Sequence, residues 1–186
     1  MKKLLEGKKV KLTAIEKEDV TQFTQWYNDT HFMRNYDVIS AVPKNSEEVL
    51  EMLNEIKGAS DKYIFAIRHI ENGEFIGVTG FENVLWNNGT ALIYIGLGNE
   101  KYRGQGIGEE AMYLTMEFGF EELNFHKIYL YVLEYNKPAI NLYEKLGFVK
   151  EGIFREFINR DSKRYDMYLY GILKTEWEEN IKRKLI

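Results

Sequence analysis

The segment Leu97-Gly98-Asn99-Glu100-Lys101-Tyr102-Arg103-Gly104-Gln105-Gly106-Ile107-Gly108 constrains this chain more than any other. Strand-like residues 91–97 run into a glycine-rich turn. Residues 107–124 then carry Ile107, Ala111, Leu114 and Phe118 at helical spacing, with Asn124 suited to the helix stop. A strand that enters a long helix through glycines leaves backbone N–H groups free at the helix start, and glycine lets an anion come close to them. The spacing is not the Gly-x-Gly-x-x-Gly of dinucleotide sites, and no Lys-Ser or Lys-Thr follows as in a P-loop. A plain turn at a helix start is the other use of such a segment.

On either side of this segment the hydrophobic period differs. Residues 10–15 alternate as a strand, residues 18–28 form a helix, residues 30–45 read as a long irregular link, and residues 46–56 form a second helix capped by Asn45 or Ser46. Strands at 63–70, 74–81 and 91–97 are separated by Asn72-Gly73 and Asn88-Gly89, tight-hairpin pairs in which both residues are expected at positive φ. Beyond the glycines, residues 127–133 are apolar on both faces like a buried strand. Pro138 opens a helix with Ala139, Leu142, Tyr143 and Leu146 on one face, and Gly147 ends it. Residues 149–158 and 163–173 form a last hairpin, and residues 174–186 read as a charged tail. The expected fold is one α/β domain with a mixed, largely antiparallel sheet and helices on both faces.

Composition narrows the function. With no cysteine among 186 residues there is no disulfide and no thiolate nucleophile. A net charge of −4 argues against nucleic acid as a partner. No apolar run reaches the ~20 residues that span a bilayer. The basic start Met1-Lys2-Lys3 is not followed by the apolar stretch of a signal peptide, so a cytoplasmic location without membrane contact is expected. His31, His69 and His126 are too scattered for a metal site, and no metal is expected.

Arg103-x-x-Gly106-x-Gly108, after a strand and before a long helix, resembles the acetyl-CoA motif of the GNAT N-acetyltransferase superfamily. A second stretch matches in the right order: Lys127 to Val132, Asn136, Ala139, then Leu142-Tyr143-Glu144-Lys145-Leu146-Gly147-Phe148. Trp26-Tyr27-Asn28-Asp29, Arg34-Asn35-Tyr36 and Asp166-Met167-Tyr168-Leu169-Tyr170 resemble the branch holding ribosomal-protein N-terminal and spermidine acetyltransferases. The likeness spans residues 8–177, with residues 178–186 as a tail. It implies acetyl-CoA as cofactor, with pyrophosphate on Arg103, Gly104, Gln105, Gly106, Ile107 and Gly108. The strand end at Ile95, Gly96 and Leu97 would splay from its neighbour, parting after Leu97, and pair with the pantetheine arm. Asn136 would bond the cofactor, and Tyr143 would protonate the leaving thiolate. Without that resemblance, Asn136 is equally a helix cap and Tyr143 a core aromatic.

Many relatives carry a glutamate just after the alanine equivalent to Ala91, where this chain has Leu92. Glu82 is the nearest carboxylate and the candidate base, with Tyr94 another polar group in the region. The acceptor would be read by residues 29–44 and a hairpin tip near 159–163. Asp29, Arg34, Tyr36 and Asp37 suit a cationic amine through charge pairing and cation–π contact, or else are solvated loop residues. The expected reaction is direct attack by a primary amine in a ternary complex. A polyamine is the first candidate, a peptide or ribosomal-protein N-terminus the second, and an amino sugar or aminoglycoside the third. A homo-oligomer is possible. The rival functions are a non-catalytic CoA-binding module of the same fold and a nucleotide binder.

Overall fold

The structure is a computed structural model that describes residues 3–184, with side chains through Asn180. In chain order the elements are β1 (Val10–Thr13), α1 (Asp19–Asn28), α2 (Thr30–Tyr36), α3 (Ser46–Gly58), β2 (Tyr63–His69), β3 (Phe75–Leu85) and β4 (Thr90–Leu97). A short 3-10 turn (Glu100–Tyr102) leads to α4 (Ile107–Glu121), β5 (Lys127–Leu133), α5 (Lys137–Leu146), β6 (Val149–Arg160), β7 (Lys163–Leu173) and α6 (Lys174–Lys184).

The seven strands form one sheet in the order β1-β2-β3-β4-β5-β7-β6. Every neighbouring pair is antiparallel except β4–β5. One face of the sheet carries α1, α2 and α3, whose Phe23, Trp26, Phe32, Met33, Val49 and Leu53 bury Ala66, Phe75 and Val78. The other carries α4, α5 and α6, whose Met112, Met116, Phe120, Ile140, Tyr143 and Trp177 close on Phe81, Ile93, Ile128 and Leu130. The mixed sheet with two helical layers is the expected one.

Four local expectations change. The 30–45 link contains α2. Asp29 caps it by accepting the N–H groups of His31 at 2.8 Å and Phe32 at 3.3 Å, and Phe32 and Met33 are buried. Seven residues are too few for helical periodicity to show. In the Asn72-Gly73 and Asn88-Gly89 turns only the glycines have positive φ, 71° and 62°. The asparagine of the first turn instead uses its side chain, accepting the Glu74 N–H at 3.0 Å. The two-residue positive-φ turn lies at Asp161-Ser162, with φ of 50° and 62°, at the tip of the β6–β7 hairpin. The expected charged tail is α6, anchored by Trp177, 3% exposed, whose ring lies tilted against Phe120 at 5.1 Å between ring centres. The boundary expected between residues 177 and 178 thus falls inside one helix; Met1, Lys2 and residues 185–186 lie outside the described residues.

The fourth change positions the site. β4 and β5 are bonded only through Thr90↔Lys127, Ala91↔Ile128 and Leu92↔Tyr129. They part after Leu92, not after Leu97, so residues 93–97 of β4 leave an unpaired edge toward β5. A parallel pair that opens this early makes a wedge in the middle of the sheet. On the other edge of β4, residues 80–82 of β3 stay paired, up to Glu82↔Leu92.

Candidate active site

The glycine segment sits at the end of β4. Asn99 caps the short 3-10 turn by accepting the Lys101 N–H at 3.1 Å, and the Tyr102 hydroxyl donates to Glu74 at 2.6 Å. Gly104 and Gly106 both hold φ of 75°, and Gly106 is the N-cap of α4. Among the described residues no acceptor meets the N–H groups of Gln105, Gly106, Ile107 or Gly108. Free donors at the positive end of a helix dipole, behind glycines with little bulk, fit a pyrophosphate. Arg103 lies beside them but donates to Glu100 at 2.7 Å and to the Leu97 carbonyl at 3.4 Å, so it would have to share an anion with those partners.

Two residues that the sequence does not single out hold this cradle from behind. The Glu110 carboxylate accepts the backbone N–H groups of Lys8, Lys9 and Val10 at 3.0, 2.7 and 2.9 Å. The Lys9 ammonium donates to the Gln105 carbonyl at 2.6 Å. These contacts tie the first turn of α4 to the start of β1 across about a hundred residues of sequence, a separation that no local pattern reports. Glu110→Ala leaves three donors without their acceptor. We expect it to weaken acetyl-CoA binding about tenfold, or ~1.4 kcal/mol, while the acceptor KM holds. Titration calorimetry with acetyl-CoA checks this, and unchanged affinity would show that the cradle needs no support from β1.

The wedge has recognisable walls. Ile95 and Leu97 pack against the α4 side of the sheet, and a Cβ added at Gly108 would lie 3.3 Å from Leu97 and 3.7 Å from Leu142 of α5. The opposite face of β4 presents Gly96, where a Cβ would fall 2.7 Å from the Tyr36 ring. Asn136 caps α5 by accepting the Ala139 N–H at 3.3 Å and donates to the Asn35 carbonyl at 3.3 Å. It therefore links α5 to α2, and in this arrangement its amide serves the protein. Tyr143 is 7% exposed with its ring edge-on to Phe148, and no described residue bonds its hydroxyl. Burial pushes its pKa up to about 12, so it keeps its proton at neutral pH.

On the α1–α3 face, Glu82, Leu92 and Tyr129 form one cross-strand row at the last bonded position of β4–β5. Side chains in such a row share a face, so Glu82 stands at the apex of the wedge. A bulge at Asn83, φ 51°, follows it. Burial and, more weakly, Asp37 and Asp61 raise the Glu82 carboxyl above the usual range, with Lys62 opposing. Glu82 and Asp37 also raise the Tyr27 and Tyr36 hydroxyls beyond the effect of burial, which places two carboxylates and two phenols in one region. Tyr94, edge-on to Tyr36 at 6.5 Å, donates to the Tyr63 carbonyl at 3.1 Å and adds a third ring.

The expected acceptor residues divide. Tyr36 and Asp37 face this region. Asp29 is engaged as the α2 cap, and Arg34 pairs with Asp161 of the β6–β7 tip at 2.6 Å. Among the described residues Asp37 bonds through Oδ1, accepting the Val38 N–H at 2.6 Å and the Ile39 N–H at 3.3 Å. Arg160 donates to the carbonyls of Asp37, Val38 and Ile39 at 3.3–3.4 Å, strapping that loop to the hairpin tip. The structure thus brings together residues 29–44 and 159–163. Arg160 lies in the hairpin tip expected near the acceptor, but its strap to residues 37–39 and the Tyr135 hydroxyl, which donates to the Arg34 carbonyl, have no signal in the sequence.

The acetyltransferase (GNAT) domain family matches residues 9–149. Spermidine N(1)-acetyltransferase of Escherichia coli is 32% identical over 156 residues, covering 80% of this chain and 77% of that protein. The ribosomal protein uS5 alanine N-acetyltransferase of Escherichia coli is 24% identical, covering 91% and 93%. The crystal structure of a Vibrio cholerae spermidine N-acetyltransferase in complex with CoA and spermine superposes with a TM-score of 0.84 at 24% identity, covering 91% of this chain and 98% of that one.

Proposed function

The chain belongs to the GNAT acetyltransferase family and is an acetyl-CoA-dependent N-acetyltransferase, and from that premise we propose that it acetylates a protonated primary amine received at Glu82. The observation that carries this reading is the position of Glu82, half-buried at the apex of the β4–β5 wedge with a raised pKa. When bound, acetyl-CoA supplies an acetyl thioester. Residues 105–108 would hold its pyrophosphate and residues 95–97 its pantetheine arm, with Arg103 and Asn136 alongside.

Asp37 and Glu82 attract the ammonium, and the Tyr36 and Tyr94 rings add cation–π contact. Glu82 accepts a proton from the ammonium nitrogen, leaving a lone pair free to attack. As the sulfur leaves the acetyl carbon, Tyr143 would give it the hydroxyl proton, the nitrogen would release its second proton to solvent, and Tyr143 would recover a proton from solvent. Burial raises its pKa to about 12, so the hydroxyl keeps its proton at neutral pH and can donate it to the sulfur only as negative charge develops there. The attack is direct, because a chain without cysteine lacks the easiest covalent relay. Polyamines and peptide N-termini both present such an ammonium. The 32% identity to a spermidine acetyltransferase supports the former, and the similarity to a ribosomal-protein alanine acetyltransferase supports the latter.

A turnover screen across polyamines, N-terminal peptides, amino sugars and free amino acids, repeated with Glu82→Gln, tests the proposal. Loss of the base should lower kcat/KM for the best amine by about 10²-fold. In the parent enzyme kcat/KM should fall as pH drops through the Glu82 pKa, which lies above the ordinary glutamate value because burial disfavours its charged form. That limb should vanish in Glu82→Gln. An unchanged acid limb in the variant would assign the base elsewhere.

A further inference from the structure

The face of the sheet that holds Glu82 continues beyond it without cover. The row Glu82–Leu92–Tyr129 extends through Gly171 to Val149, and the next row runs Tyr131–Leu169–Gly152. Helix α2 roofs the far end, where Tyr135 bonds Arg34, but Tyr131, Phe154 and Phe157 remain 41%, 40% and 52% exposed. Their rings form one chain with Tyr129, at centre separations of 6.0, 5.7 and 5.7 Å. The near end of this floor is closed by the Lys127–Glu151 pair at 2.7 Å, which lies over Gly171. Large exposed aromatics in one contiguous file are uncommon on a protein surface and mark something that covers them.

We propose that the aromatic file from Tyr129 through Tyr131 and Phe154 to Phe157 binds an apolar or aromatic arm of the acceptor amine while its nitrogen sits at Glu82. The inference rests on the Glu82 reading. Continuity is the argument for this occupant. Tyr129 belongs both to the cross-strand row of Glu82 and to the aromatic file, and burial, then Tyr131 and Glu82, raise its hydroxyl pKa. A ligand anchored by its ammonium at the wedge would find this floor next to it. The floor's closed end carries Lys127 paired with Glu151, which offers no unpaired carboxylate to a second ammonium there. An apolar arm is therefore favoured over a second cation. Edge-to-edge addition of a second copy is disfavoured. β6 is interrupted twice, between Lys150 and Gly152 and between Phe154 and Ile158, and Glu156 holds φ of 52°. Such bulges blunt an edge strand.

The test compares propylamine, 4-phenylbutylamine and spermidine as acceptors, and titrates propylamine and 4-phenylbutylamine into the enzyme saturated with CoA. Both kcat/KM and affinity should favour 4-phenylbutylamine over propylamine by about tenfold or more, as burying a few methylenes and a ring predicts. Tyr131→Ser and Phe154→Ser, both at exposed positions, should remove that preference and leave propylamine unchanged. Turnover without any preference, or a preference that survives both variants, would overturn the arm site and leave the Glu82 chemistry standing. A binding preference that disappears in the variants, in an enzyme that turns over no amine, would support the arm site and sink the Glu82 chemistry. A parent dimer in sedimentation velocity that both variants dissociate would overturn the proposal in favour of a second copy on this face.

Discussion

Tyr143→Phe should lower kcat by about 10²-fold while acetyl-CoA affinity stays at the parent value. The phenolic proton is the one that the departing sulfur would take, and the ring itself is a wall of the core. Phenylalanine keeps that wall: the ring packs edge-on to Phe148 and among Ile140, Leu146 and Leu130. No described residue bonds the hydroxyl, so its removal leaves none of them unpaired, and deleting it should leave the melting temperature unchanged or raise it. A turnover loss without a stability loss separates a proton donor from a core aromatic. Stopped-flow or steady-state kinetics with chemistry rate-limiting, beside a thermal melt, reads both. Equal turnover would return Tyr143 to the core.

Gly106→Val should weaken acetyl-CoA binding by about 10²-fold or more, ~2.7 kcal/mol or above. Two effects add. A β-branched residue at φ of 75° is strained, by roughly 1–2 kcal/mol for the left-handed conformation alone. Its side chain would also stand at the N-cap of α4, where the free N–H groups point, and its Cβ would come within 2.9 Å of the Lys9 ammonium. Gly104→Ala is the control. It has the same φ but nothing within 4 Å of an added Cβ, so it should show the strain without the obstruction. Calorimetric titration should therefore rank the parent first, Gly104→Ala second and Gly106→Val last. Equal affinity in Gly106→Val would reduce the segment to a turn.

What the sequence reveals and what it hides follow from range. The strand, glycine turn and long helix of residues 91–124 are local, and they appear as expected within a few residues: α4 ends at Glu121, and Asn124 holds φ of 54° beyond it. Asn136 capping α5 and Gly147 ending it in a left-handed conformation were equally legible, because caps are written within four residues. The parting of β4 from β5 was expected, but its position was not. It depends on register between strands separated by α4, which no local pattern specifies. The supports of the site lie further still from view. Glu110 reaches back to Lys8, Lys9 and Val10, and Arg160 reaches back to residues 37–39 across more than 120 positions. The sequence marks Glu82 only as the nearest carboxylate; two successive strand pairings bring it to the apex. The aromatic file on β5 and β6 was invisible for the same reason. Tyr131 and Phe154 are 23 residues apart and meet only once β7 lies between their strands.

In the proposed complex the cofactor occupies the wedge with its pyrophosphate on residues 105–108. Amide hydrogen exchange with and without CoA tests this most directly. No described residue accepts the N–H groups of residues 105–108, so they should exchange fast in its absence. Binding should slow those amides, together with amides of residues 93–97 on the open edge of β4, and leave β2 unaffected. Protection that appears elsewhere, with residues 105–108 and 93–97 exchanging as fast as before, would contradict it.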